Sequence, residues 1–234
     1  MVIVMGKSLK SISLAFLSNT PLFRGLKEDE IKLLAPCLNA KVKTYKKGET
    51  VFRAGDSVSE IGIVLSGSVN IVVNYYWGGS NIYGHIPQGQ IFAETYAAIP
   101  GKELLNDVVA AEGSEILFMN MHNMMTTCEK GCAFHNRLIY NLVQISAEKN
   151  LRLSTRMMHI ASKSIRERLL SYLSEQAVEQ GLSNFTIPFS RQELADYLNV
   201  DRSALSNELS KMQRDGIITY KKNDFTLYED AMPL

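Results

Sequence analysis

The feature that most constrains the fold is a change in the period of the apolar residues near Gly131. From about Ala40 to Met121 the chain holds short runs of Val, Ile, Tyr and Phe, separated by glycine or asparagine. These runs are Ile61–Leu65, Val69–Val73, Ile86, Ile91–Phe92, Val108–Ala111 and Ile116–Met119. Many short strands at regular turn spacing are typical of an antiparallel β-roll or sandwich. The mixed three- and four-residue apolar spacing in Pro21–Leu38 predicts short helices in front of it.

After Gly131 the pattern becomes helical and predicts one helix from about Phe134 to Ile160, ~40 Å long. A heptad repeat runs through Ile139, Val143, Ser146, Asn150, Leu153, Met157 and Ile160. Such a repeat is typical of a seam between two helices, and polar seam positions such as Ser146 and Asn150 fix the register. We expect a dimer interface at Ile139, Val143, Ser146, Asn150, Leu153 and Met157. The alternative is an amphipathic helix packed on its own domain.

Two capping boxes divide the remainder of the chain, at Ser164–Glu167 and Ser190–Glu193. The first opens a helix that should stop at Gly181, since glycine readily adopts the left-handed conformation that ends helices. The apolar residues expected to be buried in this helix are Leu169, Leu170, Leu173 and Val178. A short strand is predicted over Phe185–Phe189.

The second capping box opens a pair of short helices. The first, Arg191–Tyr197, is followed by Asn199, which tolerates the left-handed conformation of a tight turn, and by Asp201, which can cap the second helix. The second helix turns Leu205, Leu209 and Met212 inward and carries Arg202, Ser203, Ser206, Asn207 and Lys211 on its opposite face. Gly216 stops it, and Ile217–Tyr220 and Phe225–Tyr228 form a hairpin. This is the pattern of a winged helix-turn-helix, whose second helix enters a DNA major groove; a helical packing module without DNA is the alternative.

The overall charge excludes a polyanion-binding surface spread over the whole chain. The 25 Lys and Arg residues nearly balance the 24 Asp and Glu residues, for a net charge of +1. A nucleic-acid site must therefore be a local basic patch.

The three cysteines cannot form a disulfide framework, which indicates a reducing compartment. Because no apolar stretch has signal-peptide or membrane-span length, we expect a cytoplasmic protein with no membrane partner.

With these patterns in order, residues 20–228 resemble the Crp/Fnr family of bacterial transcription regulators. Besides the winged helix, the resemblance rests on the turn motifs Tyr45–Glu49, Phe52–Asp56, Leu65–Val69 and Gly89–Glu94. It implies an α+β protein with an antiparallel, cupin-like β-roll at the N-terminus, a long dimerisation helix and a winged helix-turn-helix domain. We expect these parts at residues 1–132, 133–161 and 162–234.

The effector that the resemblance implies must be checked against the residues. Members that respond to cyclic AMP carry a Gly-Glu pair and, about ten residues on, an Arg whose charge neutralises the nucleotide phosphate. Here Ala93 stands at the glycine position, Glu94 is retained, and the arginine position falls near Leu105. A buried phosphate without a cation is costly, so we expect an effector other than cyclic AMP. Glu94 as an ordinary surface or turn carboxylate is the alternative.

The remaining effector candidates are aromatic and polar residues of the β-roll and the long helix. We predict effector contacts at Glu94, Tyr96, Trp77, Tyr83 and Asn150, because Asn150 is both a polar break in the seam and close to the helix position that touches ligand in cyclic-AMP members. Core packing is the alternative for the aromatic residues.

A four-thiolate iron–sulfur cluster cannot be built within one subunit, because only Cys37 precedes the roll, where the oxygen sensors of the family cluster most of their thiols. The set His122, Cys128, Cys132 and His135 matches no standard metal or haem spacing, so we expect no metal and no cofactor. A redox role for Cys128 and Cys132 stays open.

These features predict a homodimeric, sequence-specific DNA-binding regulator that recognises a pseudo-palindromic operator on double-stranded DNA. Its β-roll senses a small-molecule or redox effector, and RNA polymerase is a further expected partner. A constitutive regulator with a purely structural roll is the alternative; a cupin-type enzyme is disfavoured by the scarcity of histidines. The residues predicted to contact DNA are Ser190, Arg191, Gln192, Arg202, Ser203, Ser206, Asn207, Lys211, Lys221 and Lys222.

Overall fold

The computed structural model describes residues 13–126 and 133–228. The helices are α1 (Leu14–Ser18), α2 (Glu28–Cys37), α3 (Glu94–Ala97), α4 (Met121–Met125), α5 (Ala133–Ala161), α6 (Ile165–Gln180), α7 (Arg191–Leu198) and α8 (Arg202–Arg214). The strands are β1 (Lys41–Tyr45), β2 (Thr50–Phe52), β3 (Glu60–Ser66), β4 (Val69–Asn74), β5 (Ser80–Ile86), β6 (Ile91–Phe92), β7 (Asp107–Ala110), β8 (Ser114–Asn120), β9 (Asn184–Thr186), β10 (Ile218–Lys221) and β11 (Asp224–Leu227). The chain divides into two units, residues 1–146 and 147–234, so the boundary falls inside α5.

The first unit contains the predicted antiparallel β-roll. One sheet has the strand order β1-β8-β3-β6 and the other β2-β7-β4-β5, and their pairings are antiparallel. The turn between β3 and β4 depends on Gly67, whose φ is +73° and where a Cβ would come within 2.4 Å of the Ser114 hydroxyl. Any side chain there would clash and be strained, which explains why glycine stands at this turn.

Two apolar cores hold this unit together. Between the two sheets, a core of Val64, Val69, Val108, Ile116 and two aromatic rings includes Phe92 packed edge-on against Phe118 at 6.5 Å. The second core lies between the other face of the roll and the helices, where α1, α2 and the first part of α5 contribute Leu17, Leu34 and Leu138. The buried Asn141 of α5 donates hydrogen bonds of 2.8 and 2.9 Å to the carbonyls of Leu22 and Arg24. The first half of α5 is therefore fixed to the helical layer of its own unit.

The second unit is the predicted winged helix-turn-helix. Helices α6, α7 and α8 surround a core that includes Leu173, Leu194 and Leu209, and β10, β11 and β9 form a three-stranded antiparallel sheet beside them. The predicted capping box at α6 is present, with Ser164 accepting from the Glu167 amide, and Gly181 ends α6 in the left-handed conformation.

Two local predictions in this unit were wrong. Val178 is 79% exposed rather than buried: it lies nine residues after the buried Leu169, and nine steps of about 100° place it on the opposite face of α6. The strand predicted at Phe185–Phe189 is confined to Asn184–Thr186, where it pairs with β11. No helix in the described part of the chain combines the length and apolar character needed to cross a membrane.

Candidate nucleic-acid interface

The turn between α7 and α8 has the geometry that the sequence predicts. Ser190 caps α7 and forms a capping box with Glu193. Asn199 ends α7 with φ 53° and ψ 55°, the left-handed conformation that asparagine tolerates better than most residues. Asp201 then caps α8 by accepting hydrogen bonds from the amides of Ser203 and Ala204. These three polar residues fix the angle at which α8 leaves the turn.

Helix α8 is divided into a buried and an exposed face. Leu205, Leu209 and Met212 are fully buried in the core of the unit. The predicted DNA-contacting residues of this helix lie on its other side: Arg202, Ser203, Asn207 and Lys211 are exposed and Ser206 is half-buried. The sequence-based division of the helix into two faces is therefore confirmed.

The five side chains of the exposed face differ in how far they are already engaged. Ser203 donates its hydroxyl to Asp201, and Ser206 donates to the Arg202 carbonyl at 2.9 Å. Lys211 lies 3.6 Å from the carboxylate of Glu208. Among the described residues no side-chain hydrogen bond or ion pair engages the Arg202 guanidinium or the Asn207 amide. Both can therefore offer their full hydrogen-bonding capacity to a ligand.

The wing carries two exposed lysines at its tip. Strands β10 and β11 pair Lys221 with Asp224, which leaves Lys222 and Asn223 as the two-residue turn. Lys222 has a φ of 54°, as the first position of a tight hairpin turn requires. The wing therefore presents its positive charge on a short, geometrically defined turn.

Arg191, at the start of α7, is bound to the wing. Its Nη2 donates a 2.6 Å hydrogen bond to the Lys222 carbonyl, and its guanidinium carbon lies 4.9 Å from the Tyr220 ring centroid and 5.1 Å from that of Phe225. Burial between these groups lowers the pKa of Arg191. The residue links α7 to the wing, and its Nη1 is buried with no hydrogen-bond partner among the described residues. Gln192, the next residue, is exposed and donates to Asp196 at 2.9 Å.

Sequence reasoning missed the side chains that brace this assembly from α5 and α6. Arg156 donates 2.9 Å hydrogen bonds to the carbonyls of Asp196 and Tyr197, at the C-terminal end of α7. The buried His159 has its Nδ1 3.0 Å from the Tyr197 hydroxyl and its Nε2 3.1 Å from the Glu175 carboxylate. The end of α5 is thereby tied to the first helix of the helix-turn-helix.

Arg168 of α6 supports the turn itself. It donates from Nη1 to the carbonyls of Leu198 and Asn199, both at 3.1 Å, and from Nε to the Ser162 carbonyl at 2.8 Å. Cationic side chains that bind the last carbonyls of a helix stabilise its C-terminal end. The carbonyls at the end of α7 lie 30 to 41 positions from the two arginines that bind them, so no local pattern in the sequence could indicate these contacts.

The predicted effector residues occupy different environments. Glu94 is only 7% exposed and opens α3, directly after Ala93, whose φ of 63° is left-handed. Tyr96 is half-buried on the same short helix. Trp77 is 81% exposed near the tip of the β4–β5 hairpin, where it stacks on Tyr75 with ring centroids 5.0 Å apart. The burial of Glu94 argues against a surface carboxylate, while the alternative of a turn carboxylate stays open.

The other two predicted effector residues are exposed. Tyr83 is a largely exposed residue of β5, and Asn150 is an exposed residue of α5 that lies in the second unit. In the arginine position of the cyclic-AMP pattern, Leu105 is likewise largely exposed.

The thiols and histidines considered for metal binding are only partly covered by the structure. Cys128 and Cys132 lie outside the described residues, and Cys37 is exposed. His122 is exposed, whereas His135 is buried with neither ring nitrogen hydrogen-bonded to another described residue. Across residues 13–126 and 133–228, no group of three or more His, Cys, Asp or Glu could hold a metal ion.

The predicted seam of α5 exposes several large apolar side chains. Val143, Leu153 and Met157 are 57%, 56% and 68% exposed. Ser146 and Asn150 are exposed as well, and Ile139 is half-buried. Three further apolar residues of the helix are largely exposed: Tyr140, Leu151 and Met158.

Comparison with known proteins supports both units. Residues 42–130 match the family model of the cyclic nucleotide-binding domain, and residues 167–229 match that of the Crp-like helix-turn-helix domain. The chain is 22% identical over 199 residues to the transcriptional activator protein FnrL of Cereibacter sphaeroides, covering 80% of this chain and 76% of the relative. It is 22% identical over 216 residues to the cyclic AMP receptor protein of Thermus thermophilus, covering 92% and 96%. The structure of the c-di-GMP responsive regulator CLP of Xanthomonas campestris has a similar fold, with a TM-score of 0.53, 19% identity, and coverage of 86% of this chain and 99% of that one.

Proposed function

The chain belongs to the Crp/Fnr family of transcription regulators, and we propose that it acts as a homodimer on a pseudo-palindromic DNA operator under the control of an effector other than cyclic AMP. It is a DNA-binding regulator and not an enzyme. The observation that carries the proposal is the exposed face of α8, where Arg202 and Asn207 stand free on a helix fixed by the caps at Ser190 and Asp201.

The chemistry of this face suits base recognition in the major groove. A guanidinium such as that of Arg202 can bind the O6 and N7 atoms of guanine in two hydrogen bonds, and an amide such as that of Asn207 pairs best with the N6 and N7 atoms of adenine. Ser203 and Ser206 are short and partly engaged by the helix, so they contribute less to discrimination. Arg191, Gln192, Lys211 and the wing lysines Lys221 and Lys222 suit phosphate contacts, which position the protein without reading sequence.

The exposed apolar residues of α5 support the dimer. A two-helix seam would bury the exposed side chains of Val143, Leu153 and Met157. Burying one such side chain completely is favourable by roughly 1.5–3 kcal/mol relative to leaving it in water. We propose that Ile139, Ser146 and Asn150 complete this seam, with the polar pair setting the register.

For the effector, we propose a site in the first unit that includes Glu94 and Tyr96, with Trp77 and Tyr83 as further candidates. The role of Asn150 stays a prediction from the sequence. The position of Leu105 supplies no cation for a cyclic nucleotide phosphate, and the nearest basic residue in the sequence is Lys102. A phosphate buried in the effector site would lose its hydration without a charged partner from this position. Effector binding would then shift the population of dimers that can bind DNA.

The experiment that tests this proposal is selection of binding sites from a pool of random DNA duplexes with the full-length protein. The expected result is an inverted repeat whose half-sites are centred about one helical turn, ~10 base pairs, apart. Replacing Lys221 and Lys222 by alanine should weaken binding to all sequences alike and reduce the salt dependence. Failure to enrich any motif would contradict sequence-specific binding.

Cyclic AMP is tested separately by titration calorimetry on the same protein. We expect a dissociation constant no tighter than about millimolar, since the phosphate lacks a cationic partner. A micromolar constant would contradict the alignment of the arginine position with Leu105. A DNA affinity that cell extract does not change would favour the constitutive alternative, in which the roll is purely structural.

A further inference from the structure

An apolar cavity of about 340 Å³ lies between the helical layer of the first unit and the β1–β8 edge of the roll. Its helical wall includes Leu17 of α1 and Ile31 of α2, and its floor includes Met119 of β8. Phe23 and Leu38 lie between these elements and complete the lining. Each of these five side chains is almost wholly removed from solvent. The volume falls at the lower end of the ~300–1,000 Å³ typical of small-molecule sites.

The lining residues are aliphatic or aromatic with one exception, Lys32 on α2. Lys32 is solvent-exposed, so it stands where the cavity meets water. None of the described residues forms an ion pair or a hydrogen bond with its ammonium group. An uncompensated cation at the rim of an apolar cavity is complementary to a ligand with a carboxylate at one end and an apolar chain at the other.

We infer that this cavity binds an amphipathic carboxylate, whose apolar chain lies among Leu17, Phe23 and Met119 and whose carboxylate pairs with Lys32. None of the lining residues belongs to the proposed effector group around Glu94. The site is therefore additional to the proposed function and does not rest on it.

Most of the residues that line the cavity belong to the same apolar core in which the first half of α5 is packed. Leu17, Ile31 and Leu38 belong to the same cluster of buried residues as Leu138 and Leu142 of α5. A ligand that fills the cavity adds packing to this cluster, because an empty apolar space forfeits contacts along its walls. Occupancy should therefore stabilise this cluster, to which both α2 and the first half of α5 contribute.

The test is calorimetric titration of the full-length protein, without DNA, with decanoate, hexanoate and the uncharged decan-1-ol. We expect one decanoate per chain, and a gain in affinity from hexanoate to decanoate on the order of 100-fold, since each buried methylene contributes roughly fourfold. Absence of decanoate binding up to millimolar concentration by the folded protein would overturn the inference. So would equal affinity for the two acids.

Two variants locate the site. Lys32→Met should weaken decanoate roughly three- to fivefold, the value of an exposed ion pair, and leave decan-1-ol unchanged, whereas Lys47→Met, at an exposed lysine outside the cavity, should change neither. Ala35→Leu, which adds bulk to the helical wall, should weaken both ligands, with the melting curve and circular dichroism reporting that the chain is folded. An unchanged decanoate affinity in Lys32→Met would contradict the pairing.

A chain that lacks residues 1–12 tests whether those residues, rather than an external ligand, occupy the cavity. We expect its affinity for decanoate to equal that of the full chain. A gain of tenfold or more would mean that residues 1–12 compete for the cavity, and would overturn the assignment to an external ligand.

Discussion

Polar residues on the exposed face of α8 differ in whether their side chains are already hydrogen-bonded. Ser203 and Asn207 both lie on its exposed face, yet Ser203 donates its hydroxyl to the capping Asp201, while no side-chain hydrogen bond within the described chain engages Asn207. A side chain that already satisfies its own helix has less to gain from a base edge. Discrimination between bases should therefore rest on Arg202 and Asn207.

Asn207→Arg should change the base preference at one position of each half-site. The wild-type amide favours adenine and a guanidinium favours guanine, and a good bidentate contact discriminates by ~1–3 kcal/mol. Site selection run in parallel on both proteins measures the change. Gln213→Arg, which adds the same charge at another exposed position of α8, is the matched control and should retain the wild-type motif. Identical motifs from wild type and Asn207→Arg would mean that Asn207 reads no base.

Asp201 makes the stability of the DNA-binding unit depend on pH. Its hydrogen bonds from the Ser203 hydroxyl and from the amides of Ala204 and Ser203 lower the pKa of the carboxyl below its ordinary 3.8. Because the folded-state pKa is depressed, this contribution is fully present above pH ~4 and is lost as the pH falls through the lower, folded-state value. The free energy of unfolding should decline accordingly in acid.

The matched variant for this effect is Asp201→Asn. Asparagine caps helices about as well as aspartate but does not titrate, so the variant should show a shallower decline in unfolding free energy below pH ~4. Urea unfolding followed by circular dichroism at several pH values measures it. Equal pH dependence in both proteins would show that the Asp201 carboxyl contributes nothing through its pKa.

At the scale of helices and strands, the sequence predicted the features that depend on interactions between residues close together in the chain. The capping boxes at Ser164 and Ser190, the left-handed Asn199 and the two faces of α8 depend on residues a few positions apart, and all are present. Val178 was misplaced because its apolar character alone predicted burial, whereas nine helical steps from the buried Leu169 place it on the opposite face of α6. The braces from His159 and Arg168 join distant segments, and only the folded chain brings such partners together.

The α5 seam provides the prediction at this scale. In a two-helix seam, Leu153→Asp would bury an unpaired charge on each side of the two-fold axis, a change that costs roughly 3–5 kcal/mol or more and should yield monomers. Val178→Asp places the same charge on an exposed apolar residue of α6 and should leave the dimer intact. Sedimentation velocity compares the two. A dimeric Leu153→Asp protein would move the interface away from the predicted seam.

At the scale of the whole molecule, DNA affinity must come from how charge is placed rather than from its total. With a net charge of +1, the chain has little long-range attraction for a polyanion. The predicted DNA-contacting residues of one winged helix include a small group of exposed basic side chains, those of Arg202, Lys211, Lys221 and Lys222. In the proposed dimer, two such surfaces would engage two half-sites, and the second contact would form at a high effective concentration. Tight binding should therefore require both half-sites.

The most direct test of the proposed dimer compares two affinities of the wild-type protein: one for a selected operator, and one for the same duplex with a single intact half-site. Light scattering determines the mass of each complex. We predict two chains on the complete operator and binding to the single half-site that is weaker by a factor on the order of 100 or more. One chain per operator, or equal affinity for the two duplexes, would contradict a dimer that reads both halves of its site.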